Sequence, residues 1–307
     1  MQEQSLEARL AEVERPKAHL LRPTNQTVPM RIYGSEPFHR LLPTPLALRL
    51  AALRGRLEWR AVARRRDEAL RMTETIRGLP RDSPEAERFA RRRVVEDAVQ
   101  AELQWRPWLG RRTEVEGLEH VVSARARGRG IIYATAHVGP FLTVVHALAA
   151  RGLKVYVSGG QFGKQPIFDG RRGRWTLMQN RWVEESGSRW VHPGGSYPVL
   201  RALLERGELC VMTVDASGDF AVEVGGRPAR VRTGVASLAF ETGAVILPGV
   251  VLRRGWKQVV KIFDPVEPRD FDDPEELTRH LVHALGDVLL AEPEQVHVNV
   301  FQLWERG

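Results

Sequence analysis

Residues 128–141 read Gly-Arg-Gly-Ile-Ile-Tyr-Ala-Thr-Ala-His-Val-Gly-Pro-Phe, and the passage from Ile131 to Phe141 decides the fold. Ile131 to Ala136 is a short apolar, β-branched and aromatic run bounded by glycine, which reads as a buried strand. His137 ends that run, Gly139-Pro140 turns the chain, and a helical pattern follows from Phe141 to Arg151. The wider segment Ile131 to Ala150 contains no Asp, Glu, Lys or Arg, which makes it the best candidate for a membrane span. The Gly-Pro break and the two histidines inside it, His137 and His146, favour strand, turn and helix, so no transmembrane segment is expected. A titratable group at a strand's C-terminal end, facing a helix N-terminus, lies where open α/β sheets place their ligands. A histidine there can act as general base near neutral pH. The other reading of His137 is a buried histidine hydrogen-bonded to backbone. On the first reading His137 lines the main groove.

Outward from this segment the same alternation continues. Strands are expected at Leu153 to Val157, Leu209 to Val214, Val245 to Val251 and Gln258 to Phe263. Helices are expected near Gly173 to Ser186, Tyr197 to Arg206, Gly234 to Thr242 and Pro274 to Ala291. Such alternation predicts an α/β sheet covered on both faces. Val222 to Ala229 reads as a hairpin turning at Gly225-Gly226.

Upstream, Ser83-Pro84-Glu85 starts a helix with a capping serine and proline at the first turn, and Ala90, Val94, Ala98 and Ala101 supply its buried stripe. Residues 46–71 are expected to form one amphipathic helix whose apolar stripe is Leu46, Leu50, Leu53 and Leu57. Arginines crowd the same stretch. Such a helix either lies on an anionic bilayer or docks on the domain with a solvated arginine face. The expected organisation is an irregular segment over 1–35, a helical region packing on the core over 36–112, and an α/β core over 113–307, forming one domain overall.

Composition bounds the partners. The 307 residues carry a formal net charge of +8, and most of the 46 basic residues are arginine, the side chain better suited to phosphate and carboxylate. An anionic membrane surface, an acidic carrier protein, a coenzyme phosphate or nucleic acid all meet that charge. A GC-rich genome raises arginine too. With Cys210 as the only cysteine, an intrachain disulfide and a cysteine zinc cage are excluded, which reads as a reducing compartment. The acidic start Met-Gln-Glu-Gln-Ser-Leu-Glu gives no expectation of a secretory leader. The expected location is cytoplasmic or peripheral on the inner face of the membrane.

Four blocks, in order, resemble the bacterial lipid A lauroyl/myristoyl and phosphatidylinositol-mannoside acyltransferases. They are Glu114 to His120 with Gly128 to Phe141; Met212 to Asp215 with Gly226 to Gly234; Ala239 to Pro248; and the closing Pro293-Glu-Gln-Val-His-Val-Asn-Val-Phe-Gln-Leu-Trp304. The resemblance spans roughly residues 40 to 305. It implies a glycerolipid acyltransferase-like fold, a mixed sheet flanked by helices, with an acyl groove. It also implies transfer from a thioester donor, acyl carrier protein or coenzyme A, to a hydroxyl on a lipid or sugar. His137 would be the general base, with backbone amides or an arginine steadying the oxyanion.

In that family an acidic residue stands five positions after the histidine, but here the position is Leu142, and Pro140-Phe141 replaces the usual Asn-Trp. Leucine cannot orient an imidazole. Asp215, at the end of the strand Leu209 to Val214, is the expected substitute, because parallel neighbours bring their ends together; the other reading of Asp215 is a turn or helix cap. Candidate substrate-binding residues are Gly139, Arg181 on a helix facing the groove, and Arg227, Arg230 and Arg232, read as sharing one strand face. A solvated face explains the last three equally well. Cys210 and His297 read as structural, and no metal site or resident cofactor is expected. The expected function is acyl transfer to a hydroxyl or amine of a specialised metabolite or lipid. The alternatives are a non-catalytic lipid- or carrier-binding relative, or aminoacyl transfer from a charged tRNA.

Overall fold

The strand read from Ile131 sits in the middle of a seven-stranded sheet in a computed structural model, which describes residues 32–159, 170–192, 195–224 and 226–297, with Leu6 and Ala8. The closing block beyond His297 and most of the segment expected to be irregular lie outside the described residues.

The sheet comprises β1 (Glu114–Glu116), β2 (Ile131–Thr135), β3 (Val155–Ser158), β4 (Arg189–Val191), β5 (Leu209–Thr213), β8 (Val245–Arg254) and β9 (Lys257–Ile262), in the order β1-β9-β8-β2-β5-β3-β4. All neighbours are parallel except β8 and β9, so the sheet is mixed. Successive side chains on a strand point to opposite faces. Ile131 and Tyr133 therefore pack with Val144 and Leu148, while Ile132 and Ala134 pack with Leu203, Leu238 and Leu281. Both faces are buried, which is why β2 reads as a continuous apolar run. Cys210 lies in the second of these layers, fully buried.

Between the strands run α5 (Leu118–Ala126), α6 (Thr143–Ala149), α7 (Gly170–Glu185), α8 (Ser196–Glu205) and α9 (Gly234–Thr242), and α10 (Pro274–Ala291) follows β9. The expected hairpin is present as β6 (Ser217–Val224) and β7 (Arg227–Val231), a separate antiparallel pair in which Val224 faces Arg227.

The helices before the sheet are α1 (Glu36–Leu41), α2 (Thr44–Ala61), α3 (Ala63–Arg77) and α4 (Pro84–Leu103). The serine cap of α4 forms as expected, Ser83 Oγ accepting from the Ala86 amide at 3.1 Å. Helix α4 is tied to the sheet's loops by buried polar groups: Arg93 donates to the Pro293 carbonyl, Gln100 to the Gln295 carbonyl, and Arg253 pairs with Glu96.

Two expectations for this region are corrected. Residues 46–71 form two helices, broken at Val62 in extended conformation. The leucines are not the buried stripe of α2. That helix packs through Ala47, Leu48, Ala51, Gly55 and Trp59, and leaves Leu46, Leu50, Leu53 and Leu57 exposed. The cause is close packing: a Cβ on Gly55 would lie 2.7 Å from the Cα of Val95, so the small-residue face is the one that fits against α4.

Candidate active site

Strand β2 pairs with β5 so that Thr135 faces Thr213, and the Val214 amide donates to the Thr135 carbonyl at 2.9 Å. Two residues beyond that pair, at the C-terminal ends of both strands, stand His137 and Asp215. Parallel register alone therefore brings them together.

Both carboxylate oxygens of Asp215 serve His137. Oδ1 meets the ring Nδ1 at 2.8 Å, and Oδ2 accepts from the backbone N–H of His137 at 2.7 Å. The Asp215 side chain is 4% exposed and that of His137 is 21% exposed, so the acid is enclosed while the imidazole reaches the surface. Burial opposes charge on both groups, but each outweighs burial for the other. The charge and hydrogen bond of Asp215 raise the His137 pKa above its usual value. The charge and hydrogen bonds of His137 hold the Asp215 carboxyl below its usual range. An ionised carboxylate only accepts, so Nδ1 carries the proton and the lone pair of a neutral ring resides on Nε2.

The loop after His137 is held by its own amides. Val138 donates to the Ala136 carbonyl, Gly139 to the Gln295 carbonyl and Phe141 to the Gly139 carbonyl, while residue 140 is proline. With the His137 amide committed to Asp215, residues 137–141 present no spare N–H for a substrate oxygen. Gly139 is thus needed for a backbone reason. Its φ is +58°, and a Cβ there would lie 2.1 Å from the Val251 carbonyl oxygen. Phe141 sets its ring edge against His137, centroids 4.6 Å apart. Leu142 is buried, as a core leucine should be.

His297, read from sequence as structural, stands beside this pair. Its backbone N–H donates to the His137 carbonyl at 2.8 Å, and the two rings are 6.2 Å apart. The adjacent Val296 bridges antiparallel to Val138. No local pattern could have announced this contact across so long a chain separation; only the position of His297 in the closing block hinted at it.

The remaining candidates are not gathered here. Arg181 is exposed on α7 and committed to Glu36 and Glu185. The three hairpin arginines do not share one face: Arg230 and Arg232 lie on the exposed side of β7, while Arg227 has the parity of buried Ala229 and Val231. The backbone N–H of Arg232 donates to the carbonyl of Ala216, next to Asp215, while its side-chain Nε–H donates to the Ser217 carbonyl. Among the described residues a groove of about 630 Å³ is lined by residues of α2, α4, β8 and the 292–295 segment, whose Gln295 carbonyl accepts from the Gly139 amide. Among the described residues no group of His, Cys, Asp and Glu is arranged to hold a metal, and no helix is long and apolar enough to cross a membrane.

Comparison with known proteins bears on this arrangement. No curated protein matches the chain. The crystal structure of the 1-acyl-sn-glycerophosphate (LPA) acyltransferase PlsC from Thermotoga maritima is similar over 80% of this chain and 98% of its own, at 14% identity and a TM-score of 0.41. The profile of the bacterial lipid A biosynthesis acyltransferases matches residues 106–304, a span that holds the whole sheet, His137 and Asp215. With well over half of its length matched, the chain belongs to the bacterial lipid A biosynthesis acyltransferase family and is an acyltransferase.

Proposed function

We propose that the enzyme moves an acyl group from a thioester donor, acyl carrier protein or coenzyme A, to a hydroxyl or amine of a lipid or specialised metabolite. His137 is the general base and Asp215 the residue that orients it. The observation that carries this reading is the doubly held histidine: Asp215 accepts from both the ring Nδ1–H and the backbone N–H of His137, which leaves Nε2 for the acceptor's proton.

The acceptor oxygen or nitrogen attacks the thioester carbonyl carbon while Nε2 takes its proton. The tetrahedral intermediate then expels sulfur, the C–S bond breaks, and the imidazolium returns the proton to the thiolate. The products are an ester or amide and a free thiol. Asp215 stabilises the imidazolium without taking a proton itself, the role of the carboxylate in hydrolase triads. It stands where Leu142 leaves the usual position empty of acid. The amides of residues 137–141 are all engaged, so we assign the oxyanion to an arginine, Arg232, whose backbone N–H donates to the Ala216 carbonyl next to Asp215 and whose Nε–H donates to the Ser217 carbonyl.

The test offers acyl carrier protein and coenzyme A thioesters with hydroxyl and amine acceptors, and follows thiol release together with acceptor acylation. The reading expects the two to appear in equal amounts. Thiol release without an acylated acceptor under every pairing, or no release at all, contradicts it.

A further inference from the structure

Strand β8 outruns its neighbour β2. Their parallel pairing ends at Ala134 and Pro248, and β2 itself ends at Thr135, while β8 continues to Arg254. On the edge that β2 has left, the peptide groups of β8 need other partners, because a backbone N–H or C=O buried without one is costly. The His137 loop comes close to this edge: a Cβ on Gly139 would lie 2.1 Å from the Val251 carbonyl oxygen. Two residues further along, Arg253 turns both of its peptide groups to one side chain, that of Gln295.

Gln295 is only 6% exposed, and each of its polar groups is bonded. Its Oε1 accepts from the Arg253 N–H at 2.7 Å. Its Nε2 donates to the Arg253 carbonyl at 3.3 Å and to Glu292 Oε2 at 3.0 Å. A primary amide carries a donor and an acceptor side by side, as a peptide does, so this side chain continues the sheet where β2 is missing. Glu292 fixes which way the amide faces, because an ionised carboxylate only accepts. Arg254 bonds to Glu292 in turn and holds its carboxyl below the usual range. The main chain of Gln295 serves the loop. Its carbonyl accepts from the Gly139 N–H at 2.8 Å and from Gln100 of α4 at 3.3 Å. Beyond it, Val296 bridges to Val138 and the His297 N–H donates to the His137 carbonyl. One residue thus joins β8, α4 and the loop that carries His137.

We infer that Gln295 is a positioning residue for acyl transfer: its side chain clips the closing segment to β8, and its main chain sets where the His137 loop meets Asp215. The site is sensitive to that placement. Asp215 holds both the ring and the backbone N–H of His137, so a small shift of the loop loosens two hydrogen bonds at once. The effect of Gln295 on rate rests on the role proposed for His137, whereas its effect on where the ring sits does not.

The test substitutes Gln295→Met, which keeps the length of the side chain and removes the bonds of its amide. In steady-state transfer from a thioester donor, kcat should fall on the order of 10- to 100-fold, with KM within about twofold of wild type. Such a split is expected when binding contacts are untouched and the reacting groups are misplaced. NMR titration of the His137 ring, assigned by its absence in His137→Ala, gives a readout that needs no turnover. In the variant the ring should lose its proton at lower pH than in wild type, because burial, which favours the neutral ring, is then less opposed by Asp215. A merely structural role would lower the melting temperature and leave the titration of the folded protein alone. Where Gln295→Met does not fold, Glu292→Ala is the gentler variant: it leaves Gln295 in place, frees the amide to turn, and should move the titration the same way by less. An unmoved titration in the folded variant overturns the inference, whether or not kcat has fallen. A moved titration with unchanged kcat keeps the placement and contradicts instead the role given to His137, as wild-type turnover by His137→Ala would do on its own.

Discussion

Replacing Asp215 with Asn separates what the carboxylate does for orientation from what it does for stability. The amide oxygen can still accept from the His137 backbone N–H, now 2.7 Å from Oδ2, so the loop keeps one of its two ties. The other end becomes an NH₂ group facing Nδ1 at about the present 2.8 Å, donor against donor. The ring relieves this by moving its proton to Nε2, and the lone pair that should accept the acceptor's proton is lost. In a hydrolase triad that exchange costs on the order of 10⁴ in turnover. The stability cost is smaller, about 1–3 kcal/mol for one hydrogen bond to a charged group. It also depends on pH in a defined sense. His137 has a raised pKa, so its contribution is full below the ordinary histidine value and fades as pH rises through the raised one. Asp215 has a lowered pKa, so its contribution fades as pH falls through that lowered value. The wild type should therefore exceed Asp215→Asn in stability most in the window between the two. Catalysis by neutral imidazole should give the wild type an acidic limb above the usual histidine value. In Asp215→Asn that limb moves down, because burial acts on the ring without a carboxylate to oppose it. Turnover by thiol release and thermal unfolding across pH measure both quantities. An Asp215→Asn enzyme within tenfold of wild-type turnover, with its acidic limb unmoved, would refute the reasoning.

Three further outcomes follow from the packing. Gly139→Ala should lose folded protein in a thermal melt, because the new Cβ meets the Val251 carbonyl in a backbone conformation unfavourable to alanine; an unchanged melting temperature would show that the loop can shift. Leu142→Asp should destabilise the fold and leave thiol release no faster, since it buries a charge in an apolar site while Asp215 already holds Nδ1; a gain in turnover would mean that the family's usual acid position is still functional. Ser83→Ala should cost about 1 kcal/mol by denaturant unfolding through loss of the α4 cap, with no change in the pH profile of turnover.

The sheet was legible because its central strands are apolar on both faces, and His137 stood out because it interrupts such a strand at its end. The Asp215 partnership was legible from parallel pairing alone, since both residues follow strands of equal register. Strands β1 and β4 were missed: Glu114–Glu116 and Arg189–Val191 are three residues long and mixed in polarity, too short to show a period. Nothing marks the break at Val62, which has neither glycine nor proline beside it. The orientation of α2 was misread for a different reason. Periodicity detects a stripe but cannot rank two of them, and the longer-chained leucines look like the better core. Close contact with α4 at Gly55 reverses that ranking, a property of the helix pair and not of either sequence. The contact between His297 and His137 depends on a chain crossing that no local pattern encodes.

The central claim is that Nε2 of His137 accepts the proton of the attacking group. Its most direct test is the single-turnover rate of acyl transfer from a thioester donor by wild type and by His137→Ala, both shown to be folded. A fall of about 10² to 10⁴ is expected from loss of a general base, with donor binding retained. Wild-type enzyme that consumes no thioester while His137→Ala binds the donor equally well, or a variant that transfers at the wild-type rate, would contradict the account.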